Sequence, residues 1–346
     1  MTSKRTSVEN GGDKPFWVGN PDAQAFADIQ KQRLALAREA LKRLLSVIGE
    51  RTVGNTLKPY DEILTYLDSA NSQSSLMEQV HPDATLRATS EKLTQEVSSF
   101  ASELSLNRSV YDALRSIRAD GLDEVTAHYL SKTLREFQLA GVDKDEATRG
   151  RIKALRDELV AIGQEFSRNI REDKRTVTAR SVDELQGLPA DFIARHKPNP
   201  DGTITLSIEH PDAIPVLTYA KSDTLRREMY FAFNTRAYPG NIAVLDTLIS
   251  RRHTLATLLG FQNWADYVTA DKMAGTGRNV SDFIEKIAEA SRSKGLVDYQ
   301  RLLDEKRKDD PDAQSVVAWE SGYWSERVRK SDFEFDAQSV RPYFPY

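Results

Sequence analysis

The sequence predicts a mainly α-helical protein that carries one short antiparallel β element. Apolar residues recur at three- and four-residue steps over most of the chain, the period of helices buried along one stripe. A single region, Lys174 to Glu209, breaks that period with β-branched residues and turn formers. Of the 346 residues, 39% are hydrophobic and 29% charged, enough apolar material for a core beneath a heavily charged surface.

Met1 to Lys14 is polar and reads as the larger part of an irregular head over residues 1–20. Residues 21–173 read as a helical region. Within it Ala25, Phe26, Ile29, Leu34, Leu41, Leu44 and Ile48 mark a first helix that stops near Gly49. Pro59 and Asp61 suit the start of a second, over Leu57 to Leu67. Further helices are predicted over Pro82 to Leu104, Ser109 to Arg118, Leu122 to Ala140 and Asp143 to Arg171. Residues 174–222 read as a small β-containing insertion. Thr176, Val177 and Thr178 are β-prone, Pro198 to Gly202 form a turn, and Thr203 to Ile208 alternate like a strand with one buried face. Residues 223–346 read as a second helical region. Helices resume at Asp223 and break near Tyr238-Pro239-Gly240, Gly260 and Gly275-Thr276-Gly277, and an acidic turn follows at Asp309 to Asp312. A last helix is predicted from Trp319 to Phe333.

Charge and residue usage exclude several function classes. Lysine and arginine number 48 against 52 acidic residues, a formal net charge of -4, so no basic footprint for nucleic acid is present. No apolar run has the length of a membrane span. With no cysteine, disulfides, thiolate metal sites and cysteine nucleophiles are excluded, and a cytoplasmic location is expected.

Of the five histidines, His81 and His210 precede prolines in turns expected to face solvent. His128 and His253 fall on predicted helices, as surface or packing groups. Neither these nor His196 has a second histidine at helical ligand spacing, and no H-E-x-x-H occurs. Gly275-Thr276-Gly277 follows a helix and lacks the third glycine of a dinucleotide fingerprint. It reads as a helix break, with Asn279 or Ser281 capping the next helix. Trp264, Tyr267, Trp319, Tyr323, Trp324, Phe333, Phe335, Tyr343, Phe344 and Tyr346 crowd the last quarter. Such a group is either core, a channel wall or an interface.

Four segments resemble the thimet oligopeptidase, neurolysin and oligopeptidase A family of zinc metallopeptidases. They are Glu184-Leu185-Gln186-Gly187-Leu188-Pro189-Ala190-Asp191-Phe192, and Ala232-Phe233-Asn234-Thr235-Arg236. The third is Leu258 to Tyr267 with Asp271-Lys272-Met273-Ala274, and the fourth is Val340-Arg341-Pro342-Tyr343-Phe344-Pro345. The resemblance covers roughly Pro21 to Tyr346 and implies the amino-terminal part of such an enzyme. The implied fold is a neurolysin-like helical body forming one wall of a deep substrate channel, and the implied substrates are short peptides.

In that family zinc is held by an H-E-x-x-H helix and a further glutamate, beyond the R-P-Y-F-P segment. The family's zinc ligands and catalytic groups therefore have no counterparts here. Zinc is expected for the complete enzyme and none for this chain, which alone is expected to be inactive. The substrate-binding residues are unassigned. The expected partner is a missing carboxy-terminal catalytic segment, against which Phe333 to Tyr346 would pack, so that the chain alone would self-associate. Two other readings are a half of a split peptidase and a non-catalytic helical peptide-binding or scaffold module.

Overall fold

A computed structural model describes residues 20–333, 340 and 343. Apart from Asn20, the expected irregular head lies outside the described residues. So do Phe335, Phe344 and Tyr346 of the expected docking end. The chain divides into two compact units. One comprises residues up to 165 together with 244–276, and the other residues 166–243 together with those from 277 onward.

Unit one is all helical, and most of its helices start at a side-chain cap. Asp22 opens α1 (Ala23–Leu45) by accepting from the Ala25 N–H at 2.8 Å. Asp83 opens α3 (Ala84–Ser105), Asn107 opens α4 (Arg108–Arg115) and Asp123 opens α5 (Glu124–Ala140) in the same way. Between α1 and α3, a π-helical turn at Val53–Leu57, boxed by Thr52 and Asn55, feeds α2 (Lys58–Val80). Pro59 sits in the first turn of α2, as its missing N–H allows. The predicted first helix runs past the observed one: α1 ends at Leu45, and Ile48 is 98% exposed beyond it. Ser46 ends the helix by turning its hydroxyl back to the Arg43 carbonyl.

The stripes of α1, α2, α3, α4 and α5 meet in one core that includes Leu44, Ile63, Phe100, Leu114 and Phe137. Phe137 is 1% exposed and lies 5.6 Å from the Tyr60 ring and 6.0 Å from Tyr111. Phe137→Ala would leave a cavity among these rings, at a cost of about 3–5 kcal/mol. Urea unfolding should show that loss as a lower midpoint at unchanged slope.

The first part of α6 (Glu146–Glu172) and the later part of α10 (Gly240–Leu259) also belong to unit one, with α11 (Trp264–Thr269). Ile152, Leu255 and Leu259 form a second core with Leu106, flanked by Trp264 and Tyr267. Those two aromatics are therefore packing groups. A buried polar chain crosses the unit. Gln95 donates to Gln164 Oε1 at 2.7 Å, and Gln164 Nε2 donates to Glu78 Oε2 and to the Glu91 carbonyl, both at 3.0 Å.

Unit two contains the β element. β1 (Thr176–Ala179) and β2 (Ile204–Ser207) pair antiparallel, with Val177 opposite Leu206 and Ala179 opposite Ile204. The alternation read from Thr203 to Ile208 is real, since Ile204, Leu206 and Ile208 are buried and Thr205 is exposed. The segment between the strands holds a 3-10 turn (Val182–Leu185) and α7 (Ala190–Arg195). Helices resume earlier than predicted, at α8 (His210–Tyr219). Its two prolines hide it. Pro211 occupies the first turn, and Pro215 lies inside a helix of ten residues.

α9 (Asp223–Asn234) closes the core with Leu225 and Met229 against the buried face of the ribbon. α12 (Gly277–Asp309) and α13 (Ser321–Phe333) complete the unit. α12 begins at Gly277, so Asn279 and Ser281 lie within the helix and not at its cap. Tyr323 and Trp324 of α13 are buried. Between these helices the Lys306 ammonium is 2.7 Å from the Glu320 carboxylate, both largely buried.

Candidate functional site

The histidines lie far from any metal geometry. His128, His210 and His253 are exposed, and His81 is half-buried. The ring of His210 stands edge-on to Phe233 at 5.3 Å, at the start of α8 and not in a turn. Among the described residues no group of three or more histidine, aspartate or glutamate side chains could hold a metal ion. The described residues do not fit a zinc site.

Among the described residues His196 is the histidine with a carboxylate partner, one that sequence spacing did not suggest. Its Nδ1 lies 2.8 Å from the Phe192 carbonyl and its Nε2 3.1 Å from Asp212 Oδ1. The other oxygen of Asp212 accepts from the Ser207 hydroxyl at 2.7 Å and from the Ser207 N–H at 2.9 Å. The serine points at the carboxylate and not at the imidazole, so the three residues cannot relay a proton as a nucleophilic triad would. They tie α7 and β2 to the first turn of α8.

Burial pushes the Asp212 carboxyl upward, but the hydrogen bonds from Ser207 and the neighbouring His196 outweigh it and hold the group below its ordinary value. A depressed folded value means that the carboxylate's stabilisation is complete above the unfolded value and is lost as pH falls through the folded one. Asp212→Asn should therefore cost about 1–3 kcal/mol at neutral pH. The gap between variant and parent should close in thermal melts taken below the ordinary carboxyl range.

Unit two also carries an open cleft of about 540 Å³ between β1 and α9, lined by Thr176, Thr178, Asp223, Arg227, Glu228 and Phe231 among others. Two backbone donors fix the parity of the ladder beside it. The Ser207 N–H is taken by Asp212, and the Arg180 N–H donates to Glu184 Oε2 at 2.7 Å. With Thr176 opposite Ser207, the ladder bonds must run through Val177 and Ala179, which alternate with Thr176 and Thr178. The N–H and C=O groups of Thr176 and Thr178 therefore turn away from β2. Phe231 is 47% exposed and packs against Trp319, the rings tilted at 45° with centroids 5.9 Å apart. The Arg227 guanidinium lies over both rings, at 5.9 and 5.5 Å. Asp223 is taken by Arg226 and the Trp319 indole, and Glu228 by Arg180. Trp319 is thus a half-buried residue behind Phe231, which lines the cleft, and not a core residue.

Unit one has a cleft of about 530 Å³ along α1, α3 and α6, lined by Arg38, Glu96, Ser99, Glu103 and Asp157 among others. The Lys153 ammonium lies 2.8 Å from Asp157 and 2.7 Å from the Ser99 hydroxyl, and Arg38 covers the Phe100 ring.

The other notable surface is the first half of α12. Val280, Phe283, Ile284 and Ile287 fall on one face by the helical period. Phe283 is 64% exposed, Ile284 59% and Ile287 51%. The opposite face is polar, with Arg278 3.5 Å from Asp282 and Arg292 3.0 Å from Glu289. A long helix with an uncovered apolar stripe marks an interaction surface. At the expected docking end, Phe333 and Tyr343 are exposed too, at 70% and 78%.

The mainly helical body with one ribbon among the described residues agrees with the expected fold, and comparison with known proteins bears out the resemblance to the oligopeptidases. Residues 216–346 match the family model described as Peptidase family M3. Similarity to curated relatives extends over most of the chain. Oligopeptidase A of Escherichia coli is 27% identical over 327 residues, 89% of this chain and 48% of the relative. Organellar oligopeptidase A, chloroplastic/mitochondrial, of Arabidopsis thaliana is 26% identical over 316 residues, 85% of this chain and 40% of the relative. Saccharolysin of Saccharomyces cerevisiae is 24% identical, covering 87% of this chain and 44% of the relative. The chain spans about half the length of the curated relatives it matches or less.

Proposed function

We propose that this chain is the metal-free, channel-wall part of a zinc oligopeptidase that hydrolyses short peptides in the cytoplasm. The reading rests on the relatives, two of which carry the name oligopeptidase A. The observation that carries it is the uncovered stripe of Phe283, Ile284 and Ile287 on α12, which lies inside the stretch matched by the peptidase family model. Each such side chain, fully buried, stabilises an interface by about 1.5–3 kcal/mol. A companion segment of the kind the longer relatives possess is the natural cover. Zinc, when bound by that companion, supplies Lewis-acid activation of water and of the scissile carbonyl. The residues of this chain confine and orient the peptide.

Sedimentation of the chain alone tests the reading. Concentration-dependent self-association is expected, replaced by a one-to-one complex when the remaining part of a relative is added. A strict monomer that ignores the added segment would favour the free-standing module. No helix among the described residues is long and apolar enough to cross a membrane.

A further inference from the structure

We propose that the cleft between β1 and α9 is a docking site for an extended oligopeptide that ends in a free carboxylate. The site does not depend on the zinc chemistry proposed above, because all of its residues belong to this chain and none to the companion segment. Its floor is a strand edge. The N–H and C=O groups of Thr176 and Thr178 face away from β2, and apart from the ladder neither main chain forms a hydrogen bond with the backbone of another described residue. An open strand edge of this kind is completed by another extended main chain, which offers the same donors and acceptors in alternation. A small molecule or a helix does not present that alternation.

The wall fixes the chemistry of the ligand's end. Arg227 is a cation held over two aromatic rings, without a carboxylate partner among the described residues. The two acids beside it are already engaged, Asp223 by Arg226 and Trp319 and Glu228 by Arg180. The charge left to be matched is therefore positive, and a carboxylate matches it with paired N–H donors. Phe231, half-exposed and backed by Trp319, gives an apolar side chain next to that carboxylate a surface to lie on. The occupant is thus a peptide in β conformation, its last residue apolar and its terminus ionised.

The test is fluorescence anisotropy of the full chain with a fluorescein-labelled Thr-Val-Thr-Val-Phe peptide. Three comparisons read the three features. Amidating the peptide's terminus should weaken binding about tenfold, and Arg227→Ala should abolish the difference between acid and amide. Methylating the peptide nitrogens one at a time should give an alternating pattern, with every second position intolerant, because only alternate residues face the β1 edge. Thr178→Pro removes a donor that the β1–β2 ladder does not use and should weaken binding of every peptide. Circular dichroism and melting temperature, measured in parallel, separate loss of the site from loss of the fold. Uniform tolerance of methylation, or an acid preference that survives Arg227→Ala in a folded variant, would overturn the proposal. Loss of peptide binding with α12 still associating would refute this site and leave the channel-wall reading standing.

Discussion

Gly187→Ala is expected to destabilise unit two by roughly 3 kcal/mol or more, the sum of a left-handed residue without glycine and a steric overlap that neither neighbour can relieve. Gly187 has φ +95°, and a Cβ there would lie 2.2 Å from the Tyr219 carbonyl oxygen. That oxygen belongs to the last residue of α8. The adjoining backbone is pinned as well, because the Lys221 N–H donates to the Gln186 carbonyl at 2.8 Å. The chain following the 3-10 turn thus runs directly against the end of α8, and only a residue without a side chain fits. Gly202 is the internal control. It has φ +86°, and a methyl group there would meet no atom within 4 Å. Its alanine variant should show conformational strain alone, about 1 kcal/mol. Urea titration of the two variants should therefore separate widely, although both replace a left-handed glycine of the same unit.

Replacing Phe283, Ile284 and Ile287 together with serine is the second large effect. These side chains are more than half exposed, so their removal should leave the melting temperature of the isolated chain almost unchanged. Any surface that buries them loses several kcal/mol at once. Association with a covering segment should weaken by about a hundredfold or more, since each 1.4 kcal/mol is a factor of ten. An ordinary core stripe would behave in the opposite way, with the melting temperature falling before any binding changed.

Much of the helical body was legible in the sequence because its signals are local. Asp22, Asp83, Asn107 and Asp123 stand immediately before apolar periodic runs, and each caps the helix that follows. The alternation of Ile204, Leu206 and Ile208 likewise named the strand and its buried face. α8 was missed because the proline after His210 reads as part of a turn, whereas Pro211 sits in the first turn of the helix. Pro215 is tolerated in a helix whose Ala213 and Val216 are completely buried.

The candidate site was less legible, for physical reasons. The bond between His196 and Asp212 joins residues brought together by the fold of the ribbon, with no helical spacing to announce it. The free edge of β1 depends on ladder parity, which follows from where Ser207 and Arg180 send their N–H groups. Sequence alone places Thr176 and Thr178 on a strand and cannot say which way their main chains face. Similarly, the period of Phe283, Ile284 and Ile287 marks a helix face, but only the structure shows that the described residues leave it uncovered.

The central claim is that this chain works as one wall of a peptidase whose zinc chemistry lies in a companion segment. Its most direct test is to mix the purified chain with the part of Escherichia coli oligopeptidase A beyond the matched stretch and follow cleavage of a quenched short peptide. Neither component should cleave alone. The mixture should show chelator-sensitive cleavage, and that cleavage should be lost with the Phe283, Ile284 and Ile287 triple variant. Chelator-sensitive cleavage by the chain alone, or a mixture that neither associates nor cleaves, would contradict the claim.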